Sequence, residues 1–191
     1  KKNGVIGVDV VDEMLDASKK NFKEAEELNP WFKSEFVSLQ KGDALNLPVE
    51  NNSIDVAAQN CLFNIFKIED LKKALTEMYR VLKPNGRLVM SDPICNDFIS
   101  EELRNDERLR AACLSGSIPL KDYIDTIASV GFGTIEIRAK RPYRILDPAH
   151  YSTAQNIFIE SVEVCAIKDP MPDDGPCVFT GKTAIYIGSE P

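Results

Sequence analysis

Val5-Ile6-Gly7-Val8 is a short, wholly apolar run closed by an acid, Asp9. A run this short and this apolar predicts a strand buried on both faces, the habit of a parallel sheet. The next segment has a different period. Asp12 and Glu13 open a helix pattern that carries Leu15, Phe22, Ala25 and Leu28 and stops at Pro30. Acids in the first turn suit the helix dipole. The alternation then continues. Phe36-Val37-Ser38-Leu39 predicts a second strand leading into Gly42-Asp43, and Ile54-Asp55-Val56-Ala57-Ala58 a third leading into Gln59-Asn60-Cys61. A helix from about Asp70 to Leu82 sets Leu71, Leu75, Met78, Tyr79 and Leu82 on one face. Pro84-Asn85-Gly86 signals a turn, and Arg87-Leu88-Val89-Met90-Ser91 predicts a fourth strand. The order β-α-β-β-α-β is that of a doubly wound α/β fold.

The second half has a clearer alternation. Ser100 to Ile118 predicts charged helix, with Asp106 as a cap before Leu109 and Cys113. Leu120 to Val130 predicts a further helix stopped by Gly131. Thr134–Ala139, Phe158–Ile167 and Thr183–Ile187 predict strands whose alternation suits antiparallel edge positions. The Pro- and Asp-rich run from Pro170 to Pro176 predicts a loop.

Composition narrows the function classes. The chain has 191 residues, 23 Lys+Arg against 30 Asp+Glu, and a net charge of −7. An acidic balance argues against nucleic acid as a partner, because that affinity comes from neutralising phosphates. No apolar run approaches the ~18 residues a membrane-crossing helix needs. Cysteines stand at 61, 95, 113, 165 and 177, widely spaced and without a CxxC pair. That pattern suits free thiols in a reducing, cytoplasmic setting better than a disulfide framework or a zinc knuckle.

In an open parallel sheet, ligands bind beyond the carboxyl ends of the strands. The residues there are Asp9, then Gly42-Asp43-Ala44, then Asn60-Cys61, then Ser91-Asp92. An acid at one strand end can accept both hydroxyls of a ribose, and an acid one strand over can accept an adenine amine. Asp9 and Asp43 are the candidates; solvated loop carboxylates are the plain alternative. His150, the sole histidine, reads as a surface residue rather than a general base, and Trp31 as packing at a helix end. Arg138, Lys140, Arg141 and Arg144 read as a solvated strand face balanced by nearby acids, and Phe63, Ile65 and Phe66 as core.

The order of these motifs resembles class I S-adenosylmethionine-dependent methyltransferases. The residues that carry the resemblance are Val5 to Asp9, Asp12 to Leu15, Gly42-Asp43-Ala44 with Leu47-Pro48, Ser53 to Val56, and Tyr79-Arg-Val-Leu-Lys-Pro-Asn-Gly-Arg87. The second half narrows it. Asn60-Cys61, Ser91-Asp92, Glu101 to Arg104 and Ala112-Cys113-Leu-Ser-Gly116 look like arsenite methyltransferases. Arg141-Pro-Tyr143 and Phe179 to Tyr186 are similar to bacterial members linked with arsenosugar synthesis. The resemblance implies a Rossmann-like methyltransferase fold, mostly parallel, with antiparallel strands at its C-terminal edge. It implies S-adenosylmethionine as cofactor, with Asp9 on the ribose, Asp43 on the adenine amine, Val10 beside the ring, and Ala44 and Asn60 also in the cofactor site. It implies that Cys61 and Cys113 bind trivalent arsenic, and no other metal is expected.

The family's first strand, its glycine-rich loop and further cysteines lie upstream of the motifs found here. The chain therefore reads as an internal fragment: a truncated methyltransferase domain over 1–168 and a C-terminal extension over 169–191, the start of a further strand region. The expected activity is methyl transfer to As(III), weak or absent in the fragment, with arsenite or its thiol conjugates as substrate. A small-molecule carbon or oxygen methyltransferase and a non-catalytic thiol-rich binding module are the alternatives. The gap left in the sheet is expected to be closed by direct pairing of its neighbours or filled by a second copy in a homodimer.

Overall fold

The computed structural model describes residues 4–180. The chain divides into two compact units, Lys1–Glu50 and Asn51–Pro191.

The first unit is a β-α-β element. β1 (Val5–Asp9) and β2 (Val37–Lys41) pair in parallel, from Val5 with Val37 to Asp9 with Lys41. The connecting helix α1 spans Asp12–Leu28, with Asp12 and Glu13 in its first turn as the sequence predicts. Leu15 is its buried residue. Burial of β1 on both faces is not observed. Val5 and Ile6 are exposed. Phe36, expected in the second strand, instead closes a 3-10 turn, Ser34–Phe36. Trp31 is exposed, its ring T-shaped against Phe32 with centres 6.1 Å apart.

The second unit holds a five-stranded sheet in the order β3-β4-β6-β5-β7. The strands are β3 (Ile54–Asn60), β4 (Leu82–Cys95), β5 (Thr134–Leu146), β6 (Ile157–Ile167) and β7 (Cys177–Phe179). β3 and β4 are parallel, whereas β6 runs antiparallel to both β4 and β5. The C-terminal antiparallel strands are thus as expected, and β7 adds a parallel strand inside the region predicted as loop and tail. The strand expected over Thr183–Ile187 lies outside the described residues.

Local sequence explains most boundaries. Helix α2 (Ile68–Val81) buries Leu71, Ala74, Leu75, Met78 and Val81, the stripe its periodicity predicts. Pro84-Asn85-Gly86 makes its turn inside β4: pairing jumps from Ile54 with Leu82 to Val56 with Arg87, and Asn85 takes a left-handed φ of 63°. The Asn85 N–H donates to the Lys168 carbonyl (2.7 Å), and the Lys168 N–H to the Gly86 carbonyl (2.9 Å). Lys168 also closes the end of α2. Its ammonium donates to the Tyr79 and Leu82 carbonyls, each at 2.7 Å, and to Asn52 Oδ1 at 2.8 Å. It lies 4.5 Å from the Tyr79 ring centre. A cation there meets both the free helix carbonyls and the aromatic face. The Tyr79 ring packs edge-on against buried Phe132, 5.0 Å between centres.

The charged stretch after Ser100 is not one helix. It breaks into α3 (Glu101–Arg104) and α4 (Glu107–Ala111), then runs irregularly to Ile118. The break has a chemical cause. Asp106 accepts from the Arg108 and Leu109 N–H groups, so it starts a new helix where the sequence places a cap. Helix α5 (Leu120–Val130) ends at Gly131, whose φ of 116° suits a residue without Cβ. The buried residues Leu88, Met90, Val162, Val164, Ile127, Phe132 and Ile135 come from β4, β6, α5 and the start of β5.

Glu26 ties α1 to the turn before β2. It accepts from the Ser34 hydroxyl (2.7 Å), the Ser34 N–H (3.0 Å) and Lys33 (3.3 Å). These bonds, the Ser34 hydroxyl first, pull its pKa from 4.5 to about 2. In that window the unfolded chain binds more protons, so this clamp's stability is complete above the ordinary Glu value of about 4.3 and lost as pH falls through about 2. Glu26→Gln is expected to flatten the acid limb of a pH-dependent denaturation curve. A limb as steep as the unsubstituted chain's would show that the clamp contributes nothing.

Candidate functional site

In the first unit, the strand ends bring two carboxylates to one edge. Asp9 closes β1, and Asp43 lies two residues beyond Lys41, the β2 partner of Asp9. The loop is tied back because the Gly42 N–H donates to the Asp9 carbonyl (3.0 Å). Each carboxylate uses Oδ1 to accept the N–H two residues on: Val11 for Asp9 (2.9 Å) and Leu45 for Asp43 (2.8 Å). These Asx turns fix the direction of the two side chains and leave Oδ2 outside the turn. Val10 is exposed beside Asp9, and Ala44 is half-buried beside Asp43.

In the second unit, two loops bring Cys61 and Cys113 together. Cys61 follows Asn60, the exposed last residue of β3; Cys113 follows α4. The two thiols are near enough for Cys113 to act on the ionisation of Cys61. Burial first, then Cys113, then the Asp92 carboxylate, push the Cys61 thiol above its usual pKa of 9.0. The remaining cysteines stand apart. Cys95 and Cys165 are buried in the sheet, burial raising Cys95 to about 12, and Cys177 is exposed on β7.

The loop of Cys61 is fastened to β4 residue by residue. The Cys61 N–H donates to the Ser91 carbonyl (2.8 Å). Asn64, itself buried, donates through Nδ2 to the Pro93 carbonyl (2.7 Å). The loop of Cys113 is then seated on that of Cys61. A Cβ on Gly116 would stand 2.1 Å from the Asn64 carbonyl oxygen and 2.6 Å from its carbon, so only glycine lets the two backbones approach this closely. The Cys95 N–H, donating to the Ile118 carbonyl (3.1 Å), holds the exit of the same loop to β4.

Both cysteines are strained. Among the described residues, four non-glycine positions have φ in the left-handed region: Asn52, Asn85, Cys61 (55°) and Cys113 (57°). Asparagine is at home there and cysteine is not. Strain of this kind gathers where function fixes a side chain. No sequence signal announces it, because nothing in a cysteine's neighbours encodes its φ.

Residues expected to be structural are so. His150 is a surface residue bonded to Asp147 (2.9 Å). Arg138, Lys140 and Arg141 pair with Glu136, Glu160 and Glu163. Phe63 is buried, but Ile65 is exposed rather than core, since the 3-10 turn Phe63–Ile65 turns it outward. Asp92, read as a strand-end acid, is instead wholly buried, because β4 continues to Cys95. Its partners Gln59 and Tyr123, together with Asn64, carry no sequence signal that marks them as site residues.

The strain makes a measurable prediction. Glycine relieves a left-handed residue and alanine does not. At each of positions 61 and 113 the glycine variant is expected to be more stable than the alanine variant by about 1–2 kcal/mol in chemical denaturation. Equal stabilities would show a backbone that relaxes freely.

Comparison with known proteins gives a consistent picture. Residues 2–90 match the family described as "Methyltransferase domain". An arsenite methyltransferase of Aquipseudomonas alcaligenes is 29% identical over 98% of this chain and 53% of its own length. That of Halobacterium salinarum is 27% identical over 71% of this chain and 32% of its own. The chain thus spans about half, or less, of the length of these relatives. Among solved structures, the crystal structure of CrArsM, an arsenic(III) S-adenosylmethionine methyltransferase from Chlamydomonas reinhardtii, superposes with a TM-score of 0.71 at 21% identity. It covers 89% of this chain and 56% of its own. The YcgJ protein of Bacillus subtilis gives 0.67 at 19% identity, over 87% and 83%. Residues 2–90 thus match the methyltransferase-domain family, and the fold is that of the Rossmann-like methyltransferases.

Proposed function

We propose that the protein of which this chain forms part transfers a methyl group from S-adenosylmethionine to trivalent arsenic held by Cys61 and Cys113. The observation that carries the proposal is the pair of neighbouring thiols, drawn from two loops and set on strained backbone. As(III) is soft and prefers thiolate to oxygen ligands. Arsenite, or a thiol conjugate of it, exchanges two of its ligands for the two sulfurs. With arsenite the step balances: two S–H and two As–OH groups give two As–S bonds and two waters. Each thiol proton leaves with a hydroxyl, so a raised Cys61 pKa is no obstacle.

The donor set in the first unit suits the cofactor's adenosyl end. A carboxylate at the end of β1 accepts ribose hydroxyls, and one at the end of β2 accepts the adenine amine. Asp9 and Asp43 are assigned these roles, with Val10 and Ala44 beside them. S-adenosylmethionine, when bound, supplies an electrophilic methyl group on a sulfonium. The chain's own contribution is to hold arsenic with its lone pair free and to keep water from it. Thiolate-held arsenic is already nucleophilic, so no general base is needed, in accord with the solvent-exposed position of His150.

Cys61→Ser keeps the side-chain volume but exchanges a soft donor for a hard one. It is expected to abolish arsenite methylation, followed by chromatography of methylated arsenicals, while S-adenosylmethionine affinity by calorimetry stays near normal. Asp9→Ala should do the reverse, weakening cofactor affinity about tenfold to a hundredfold, the loss of a charge-assisted hydrogen bond. Normal arsenite methylation by Cys61→Ser would overturn the arsenic assignment.

A further inference from the structure

We propose that Asp92 is a positioning residue for the Cys61 thiol, acting through the side chain of Gln59. This rests on the reading of Cys61 and Cys113 as a dithiol site. Asp92 is fully buried on β4. Its Oδ2 accepts from Gln59 Nε2, and from the Tyr123 hydroxyl of α5 at 2.6 Å. The other end of the Gln59 amide, Oε1, accepts the Leu62 N–H at 2.8 Å. One side chain therefore runs from the buried carboxylate, past Cys61, to the backbone just beyond it. The Cys61 N–H is held separately by the Ser91 carbonyl (2.8 Å). Cys61 is enclosed on both sides, with φ at 55°.

The polarity of this chain of bonds explains why an acceptor is needed at position 92. An ionised carboxylate only accepts, and an amide donates from one end and accepts at the other. Asp92 therefore forces the Gln59 nitrogen toward β4 and its oxygen toward Leu62. A side chain without an acceptor at position 92 leaves Gln59 free to rotate, and the left-handed turn loses the bond that offsets its strain. Tyr123 keeps the carboxylate from rotating in its turn. The arrangement is costly for the fold: Asp92 Oδ1 is buried without a hydrogen-bond partner among the described residues, and burial raises the carboxyl's pKa despite the two side-chain donors and the nearby Phe63 N–H. An apolar residue would fill the space at lower cost, which points to a role beyond packing.

The test reads the thiol geometry directly. Phenylarsine oxide bridges two nearby thiols, forming two As–S bonds and releasing one water. Its binding is measured by calorimetry in a Cys177→Ser background, which removes the exposed thiol. Gln59→Leu and Asp92→Ala are expected to weaken it at least tenfold, with S-adenosylmethionine affinity unchanged. Asp92→Asn is expected to bind within about threefold of the unsubstituted chain, because its amide oxygen accepts from Gln59 and Tyr123 as Oδ2 does. Unchanged phenylarsine oxide binding by Gln59→Leu, or no binding by the unsubstituted chain, would overturn the proposal. So would failure of Asp92→Asn to restore binding. If the probe series behaves as expected but arsenite is not methylated, the positioning role stands and the arsenic methylation reading falls.

Discussion

Three consecutive residues of β4 accept hydrogen bonds from the end of β3 and the short loop after it, and the candidate site depends on them. Ser91 takes the Cys61 N–H, Asp92 takes the Gln59 amide, and Pro93 takes the Asn64 amide. The loop after β3 is therefore not a free connection but an extension of the sheet by side chains. Such pinning suits a site whose ligand bonds are short and directional. It also explains why buried polar groups gather here. Asp92, Asn64 and Ser117 are buried, and each has a polar atom without a hydrogen-bond partner among the described residues. A region built only for stability would not keep so many.

The second thiol reaches the site by a different route. Cys113 hangs on a short helix that ends by its own chemistry, with the Cys113 N–H returning to the Arg110 carbonyl (2.9 Å). What fixes it near Cys61 is the backbone approach at Gly116, which allows no side chain. One loop is held by hydrogen bonds to a strand, the other by steric fit to the first. The two cysteines sit far apart in sequence, and each is left-handed for a local reason that serves the same meeting point.

Strands and helices in the first half are legible in the sequence from apolar runs and helical periodicity, and α1, α2 and α5 lie within a few residues of where the pattern puts them. The stretch after Ser100 misleads because Asp106 caps a new helix inside what composition alone marks as continuous. β7 is hidden because Pro170 to Pro176 dominates its surroundings, while three residues suffice to pair with β5. At the site, the cysteines are legible as soft ligands in a motif. The partners that hold them are not. Gln59 carries no signal as an isolated amide, and Asp92 looks like an exposed strand-end acid until β4 is seen to continue past it.

On the proposed reading, the two ligand-binding tasks call for opposite designs, and each unit follows one of them. Asp9 and Asp43 lie in or next to loops turned by their own carboxylates, partly or fully exposed, at little cost to the fold. Hydroxyls and amines of an adenosyl group are hard, plentiful donors, and two carboxylates at adjacent strand ends meet them without strain. Arsenic needs sulfurs at a set separation, and a thiol is small and slow to ionise when half-buried, as Cys61 is. Separation must therefore come from backbone, which is where the left-handed residues, the buried carboxylate and the glycine contact are found. The cost of precision falls on the chain around the cysteines rather than on the cysteines' own chemistry, so a change at a residue that carries no sulfur, at Gly116 or Gln59, acts on the same site as a change at Cys61.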